Sequence, residues 1–137
     1  MAKFTGGDIL EITYNHPRIG GGVIFTKANE DATILKGGRR SEDDDNLVTS
    51  DGQMIDQMAQ ARWKYTSGPI AWDITGSDEH DRLQELQSDP QLAEWTIEHI
   101  AGAIYRGIGK PVGEIEGSFQ NATTTLTLAG GGKLEKI

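Results

Sequence analysis

Alternation of apolar and polar residues dominates the chain. Over residues 8–14, Leu10, Ile12 and Tyr14 alternate with Glu11 and Thr13, the period of a half-buried strand. Asn15-His16-Pro17-Arg18 interrupts it, because proline brings no N–H to a ladder. Gly20-Gly21-Gly22 then leads into the apolar run Val23-Ile24-Phe25-Thr26, so two strands joined by a loop are expected. A turn at 27–31 precedes a short strand at 32–36. From Gly37 to Gly52 the alternation collapses into a long polar loop, a feature that in a small domain is usually functional or ordered on binding. Met54, Ile55 and Met58 suit one turn of helix, while Met54, Asp56, Met58 and Gln60 equally suit a strand.

Arg62-Trp63-Lys64-Tyr65-Thr66 alternates again, Ser67-Gly68-Pro69 reads as a turn, and Ile70, Trp72 and Ile74 share one face of a returning strand. Ser77 followed by Asp78 and Glu79 predicts a helix over 78–87, with the serine as cap, the acids at the positive end of the dipole, and a stop at Ser88-Asp89-Pro90. Period two returns at 93–99, 103–107, 112–117 and 122–128. Short strands punctuated by glycine and broken once by a helix predict a mainly β chain, an antiparallel β-sandwich or barrel with one α-helix, forming a single domain over 1–137.

Composition sharpens this picture. Eighteen glycines in 137 residues and only 36% hydrophobic residues imply many turns and a thin core. Thirteen basic against 21 acidic residues leave a net charge of −8, which argues against a phosphate-neutralising nucleic-acid clamp. The absence of cysteine removes disulfides, thiolate metal sites and a cysteine nucleophile, and points to the cytoplasm or a particle assembled there. No apolar run approaches the ~18–20 residues of a membrane span, and the start turns polar too early for a signal peptide.

Little in the chain suggests catalysis. Residues 42–46 superficially resemble a calcium loop but lack its turn glycine and closing glutamate. His16, His80 and His99 have no paired ligand spacing; His80 is expected to face solvent and His99 to be a hydrogen-bonded sheet residue. No nucleophile elbow or Ser-His-Asp signature occurs. Gly107 to Gly113 misses both phosphate-loop spacings and reads as a β-turn, and Glu114 and Glu116 decorate a wet strand face. Asn121-Ala122-Thr123 is a glycosylation sequon that has no role without a secretory route. No catalytic, cofactor-binding or metal-ligating residue is therefore assigned, and no enzyme is expected.

The succession of 61–65 and 70–74, the helix from Ser77 to Gln87, the strands 94–99 and 103–108, then 109–117 and 130–137 resembles the bacteriophage tail tube proteins, whose fold recurs in the Hcp protein of type VI secretion. The resemblance implies hexameric rings stacked into a hollow tube that conducts DNA without binding it specifically. It also implies sheath, baseplate and terminator proteins as partners, no membrane contact, and a place in the virion tail after assembly in the host cytoplasm. A compact chain without an added surface domain suits a contractile tail. The 37–52 loop corresponds to the family's extended loop that reaches a neighbouring subunit or ring, which makes Arg39, Arg40, Glu42, Asp43, Asp44 and Asp45 the expected oligomer interface.

Three physical points agree with this reading. Strands completed by neighbouring copies explain low hydrophobicity, an acidic lumen lets DNA slide, and adjacent opposite charges suit a head-to-tail contact. The alternatives are an Hcp-like secretion tube, a tail terminator, and a monomeric binding module using Trp63, Trp72 and Trp95 as stacking platforms, although tryptophans that alternate with polar neighbours are more often core.

Overall fold

In the computed structural model, which describes residues 3–43 and 47–137, alternation and sheet largely coincide. The chain runs through β1 (Ile9–His16), β2 (Gly20–Ile24), β3 (Thr33–Leu35), β4 (Gly38–Ser41), β5 (Met58–Ala61) and β6 (Trp63–Ala71). The helix α1 (Glu79–Ser88) follows, then β7 (Ala93–His99), β8 (Ile104–Pro111), β9 (Gly117–Ser118), β10 (Thr123–Gly130) and β11 (Glu135–Lys136). The main sheet is ordered β2-β1-β7-β8-β10-β6-β3, with β11 on β8 and β9 on β10, and every pairing is antiparallel. This is the mainly β, one-helix architecture that the alternation predicts.

The sheet closes within the chain. Past β2, Thr26 bridges Ile70, Lys27 N–H donates to Pro69 at 2.9 Å, and Ala71 N–H donates to Phe25 at 2.8 Å. One edge of β6 is thereby shared between β3 and the continuation of β2, and a barrel results. The expectation that neighbouring copies complete the strands is corrected here, because closure leaves few unpaired edges for them.

The inward residues form one core: Ile12, Ile24, Trp63, Tyr65, Ile70, Trp95, Ile97, Leu126 and Leu128, with Leu83 and Leu86 from α1 and Leu134 from the C-terminal segment. Trp63 lies among three glycines. A Cβ on Gly107 would stand 2.9 Å from its indole, one on Gly109 2.8 Å, and one on Gly130 2.6 Å. Its Nε1 donates to the Ile108 carbonyl at 3.2 Å. At Gly109 and Gly130 a Cβ would meet the Ala129 and Ile108 carbonyl oxygens even before the indole, so these glycines serve both the ring and the close approach of β8 and β10; 107–113 is mostly strand where the sequence suggests a turn.

Other differences have identifiable causes. Ser67-Gly68-Pro69 does not turn; β6 runs through it, and the register against β10 slips between Thr124 and Leu126, so a bulge absorbs the proline. An irregularity between Ile9 and Glu11 turns Leu10 outward. Asp78 replaces Ser77 as the cap of α1, accepting from Asp81 N–H. His80 does not simply face solvent: its Nε2 donates to the Ile115 carbonyl at 2.9 Å. Glu114 and Glu116 lie in an irregular stretch between β8 and β9 and share no strand face.

Candidate functional site

Not all of the 37–52 stretch is loop: β4 and β5 form a two-stranded ribbon and have no other strand partner among the described residues, Gly38 opposite Ala61 and Ser41 opposite Met58. Beyond them Glu42 N–H donates to Gln57, Ile55 N–H donates to Leu47, and Val48 bridges Met54. The tip is built locally: Thr49 N–H donates to Gln53 at 2.7 Å, Gly52 N–H donates to Thr49 at 3.0 Å, and Gly52 takes a φ of 91°. That places glycine at the left-handed position of a three-residue hairpin loop. The Thr49 hydroxyl donates to Asp51 and holds its carboxyl below the usual carboxylate range. Strand periodicity therefore wins over the helical alternative at 58–61.

This arm carries exposed apolar side chains at Met54 (71% exposed), Met58 (58%), Val48 (57%) and Ile55 (42%). A lone two-stranded ribbon is marginal in water, and its exposed apolar side chains make it a candidate interaction surface. Methionine's flexible thioether adapts to a partner at little cost. The charge is equally one-sided: residues 41–61 hold Glu42, Asp43, Asp44, Asp45, Asp51 and Asp56 with no lysine or arginine, so the other residues together carry only −2.

Of the expected interface residues, Arg39 and Arg40 sit on β4 opposite Gln60 and Ala59, and Asp43 is exposed. Arg40 Nε meets Glu42 Oε1 at 3.4 Å within one chain, an exposed pair contributing at most about 1 kcal/mol. Asp44 and Asp45 lie outside the described residues. What the sequence reading passed over is the apolar set; the alternation of Met54 and Met58 with polar residues is its one local trace.

The barrel itself holds one buried ionic cluster. Asp89, just past α1, accepts from Gln91 N–H at 2.8 Å and pairs with Arg18, and its Oδ1 lies 3.5 Å from His16 Nε2. His16 Nδ1 accepts from the backbone N–H of Arg18 and Ile19, both at 3.0 Å, which places the ring proton on Nε2, facing the Gln91 carbonyl. Both Asp89 carboxylate oxygens and both His16 ring nitrogens are engaged in tying β1 to the end of the helix.

The Gln91 amide first, then Arg18, holds the Asp89 carboxyl below the usual carboxylate range. Its charge therefore stabilises the fold above the unfolded value of ~4, and that contribution is lost as pH falls through the lower folded value. Asp89→Asn is expected to lower the urea midpoint at pH 7 and to approach the parent protein as pH falls through the lowered folded value. A gap independent of pH would exclude the carboxylate charge as its cause.

Among the described residues no group of three or more His, Cys, Asp or Glu side chains is placed to hold a metal ion, and no helix is long and apolar enough to cross a membrane. Trp63 and Trp95 are fully buried. Trp72 is half-buried, flanked by His80 at 5.2 Å and the exposed Phe119 at 5.3 Å. At the barrel mouth Ile9, Ile34, Tyr65, Ile97, His99 and Tyr105 line part of a 380 Å³ cavity. No known protein-family model matches the chain, and no curated protein does.

Proposed function

We propose that this chain is a structural subunit of a phage tail tube, assembling as hexameric rings that stack into a DNA-conducting conduit, with the arm as the contact between copies. The observation that carries the reading is the arm itself: a ribbon that has no other strand partner among the described residues while exposing Val48, Met54, Ile55 and Met58. An element with so little internal support is maintained by what it binds. Because the barrel closes on itself, copies meet through faces and arms, with few strand edges to share. The excess of acid suits a conduit that repels phosphates.

Negative-stain microscopy with sedimentation velocity on the purified protein tests this. Stacked rings or tubes of uniform width with an axial channel are expected. Single rings that never stack point to an Hcp-like or terminator role. A monomer at the highest attainable concentration overturns the reading and favours a binding module that uses the barrel-mouth cavity.

A further inference from the structure

The arm needs a seat, and the outer wall of the barrel offers one of opposite character. Register aligns Leu35 on β3, Lys64 on β6, Ala129 on β10 and Lys110 on β8 in one cross-strand row. The next outward row holds Thr33, Thr66 and Thr127. None of these seven positions is acidic, and neither lysine takes part in an ion pair among the described residues. Acidic side chains resume at the margins, with Glu116 beside Thr125 and Glu30 and Asp31 beside Gly68. Leu35 is 61% exposed. Further cations stand where the arm leaves the barrel: Arg62 precedes β6, Lys133 bridges Gly37, and Arg39 lies on β4.

We propose that this face of β3, β6, β10 and the end of β8 is the seat for the distal arm of a second copy of this chain. The proposal rests on the tube reading for the identity of the partner, and it adds where the arm docks. Charge complementarity selects the occupant, since residues 41–61 carry six acids and no base while the seat carries lysines and threonines. The lysine stems and Leu35 offer apolar surface to Met54 and Val48, with the ammonium groups left free for Asp51 and Asp56. Connectivity favours another copy: the ribbon is rooted beside its own seat, with β4 following β3 and β5 running into β6, yet it pairs with no strand of the main sheet among the described residues. A contact between two different patches is heterologous and propagates from copy to copy, as a stacked assembly requires.

The chain has no cysteine, so introduced thiols report unambiguously. One preparation carries Met54→Cys and another Thr66→Cys; mixed before assembly and mildly oxidised, they are expected to yield a disulfide-linked heterodimer on non-reducing gels. Lys64→Glu with Lys110→Glu is expected to raise the concentration needed for assembly roughly tenfold or more, and adding Asp51→Lys with Asp56→Lys is expected to recover most of that loss. Polymers that form without the heterodimer, or with charge reversal unrescued, overturn the seat and leave the tube reading standing. A protein that never polymerises overturns both. Linkage only within a double Met54→Cys, Thr66→Cys chain shows the arm folding onto its own barrel, and likewise overturns the proposal.

Discussion

Replacing residues 42–57 by an Asn-Gly turn between Ser41 and Met58 is expected to leave the barrel intact and to abolish tubes. Ser41 and Met58 are already cross-strand partners, so the shortened ribbon keeps its register and needs only a two-residue hairpin turn. Among the described residues the excised stretch contributes nothing to the core and, apart from the exposed Arg40–Glu42 pair, bonds within itself. The urea midpoint should therefore stay close to that of the parent protein. Far-ultraviolet circular dichroism and the urea midpoint check the fold, while sedimentation and microscopy read assembly. Tubes of unchanged width and length would remove the arm from the assembly mechanism, whatever the barrel does.

The second large effect is in the opposite direction, on folding alone. Trp63→Ala should cost about 3–5 kcal/mol, the usual consequence of emptying a large buried aromatic site, out of a total that for domains of this size is about 5–15 kcal/mol. It also removes the indole donor to the Ile108 carbonyl. Gly109→Ala should destabilise from the other side by overpacking, about 1–3 kcal/mol or more, because its methyl would stand 2.8 Å from the indole and also meet the Ala129 backbone. Gly131→Ala is the control: nothing lies within 4 Å of the added methyl, and its change should stay within about 0.5 kcal/mol. Urea unfolding followed by circular dichroism separates the three. Equal midpoints for Gly109→Ala and Gly131→Ala would show that the ring is not confined as described.

Together these variants separate the two halves of the molecule. The barrel depends on a ring caged by glycines and on an ionic tie between His16, Arg18 and Asp89; under the proposed function the arm depends on a partner. An arm variant that unfolds the barrel, or a core variant that folds normally but fails to assemble, would contradict that division.

Legibility in the sequence followed the range of the interaction. Strands at 8–14, 93–99 and 122–128 announce themselves because each buries one face and exposes the other, which requires period two within a few residues; the structure shifts the ends of the first and third by one or two residues. The helix is similarly local: Leu83 and Leu86 on one side, acids in the first turn, Pro90 beyond the end. Ser67-Gly68-Pro69 misleads for the same reason, since its composition is that of a turn and only the bulge opposite Thr125 allows it to remain extended. The arm misleads in the other direction. Its acidic run dilutes the alternation of Val48, Met54 and Met58, so two paired strands look like a loop.

By itself the sequence determined the class of the fold, most of the strand positions, the helix, and the identity of the core aromatics Trp63 and Trp95, since each is written in the spacing of neighbouring residues. Tertiary structure alone decided that Phe25 to Lys27 pair with Pro69 to Ala71 and close the sheet, that Gly107, Gly109 and Gly130 surround one indole, and that β4 and β5 pair with each other apart from the main sheet. Those features are contacts between segments far apart in the chain. Their register is set by whole-sheet packing and closure, and a short stretch of residues carries no record of which distant stretch it will meet.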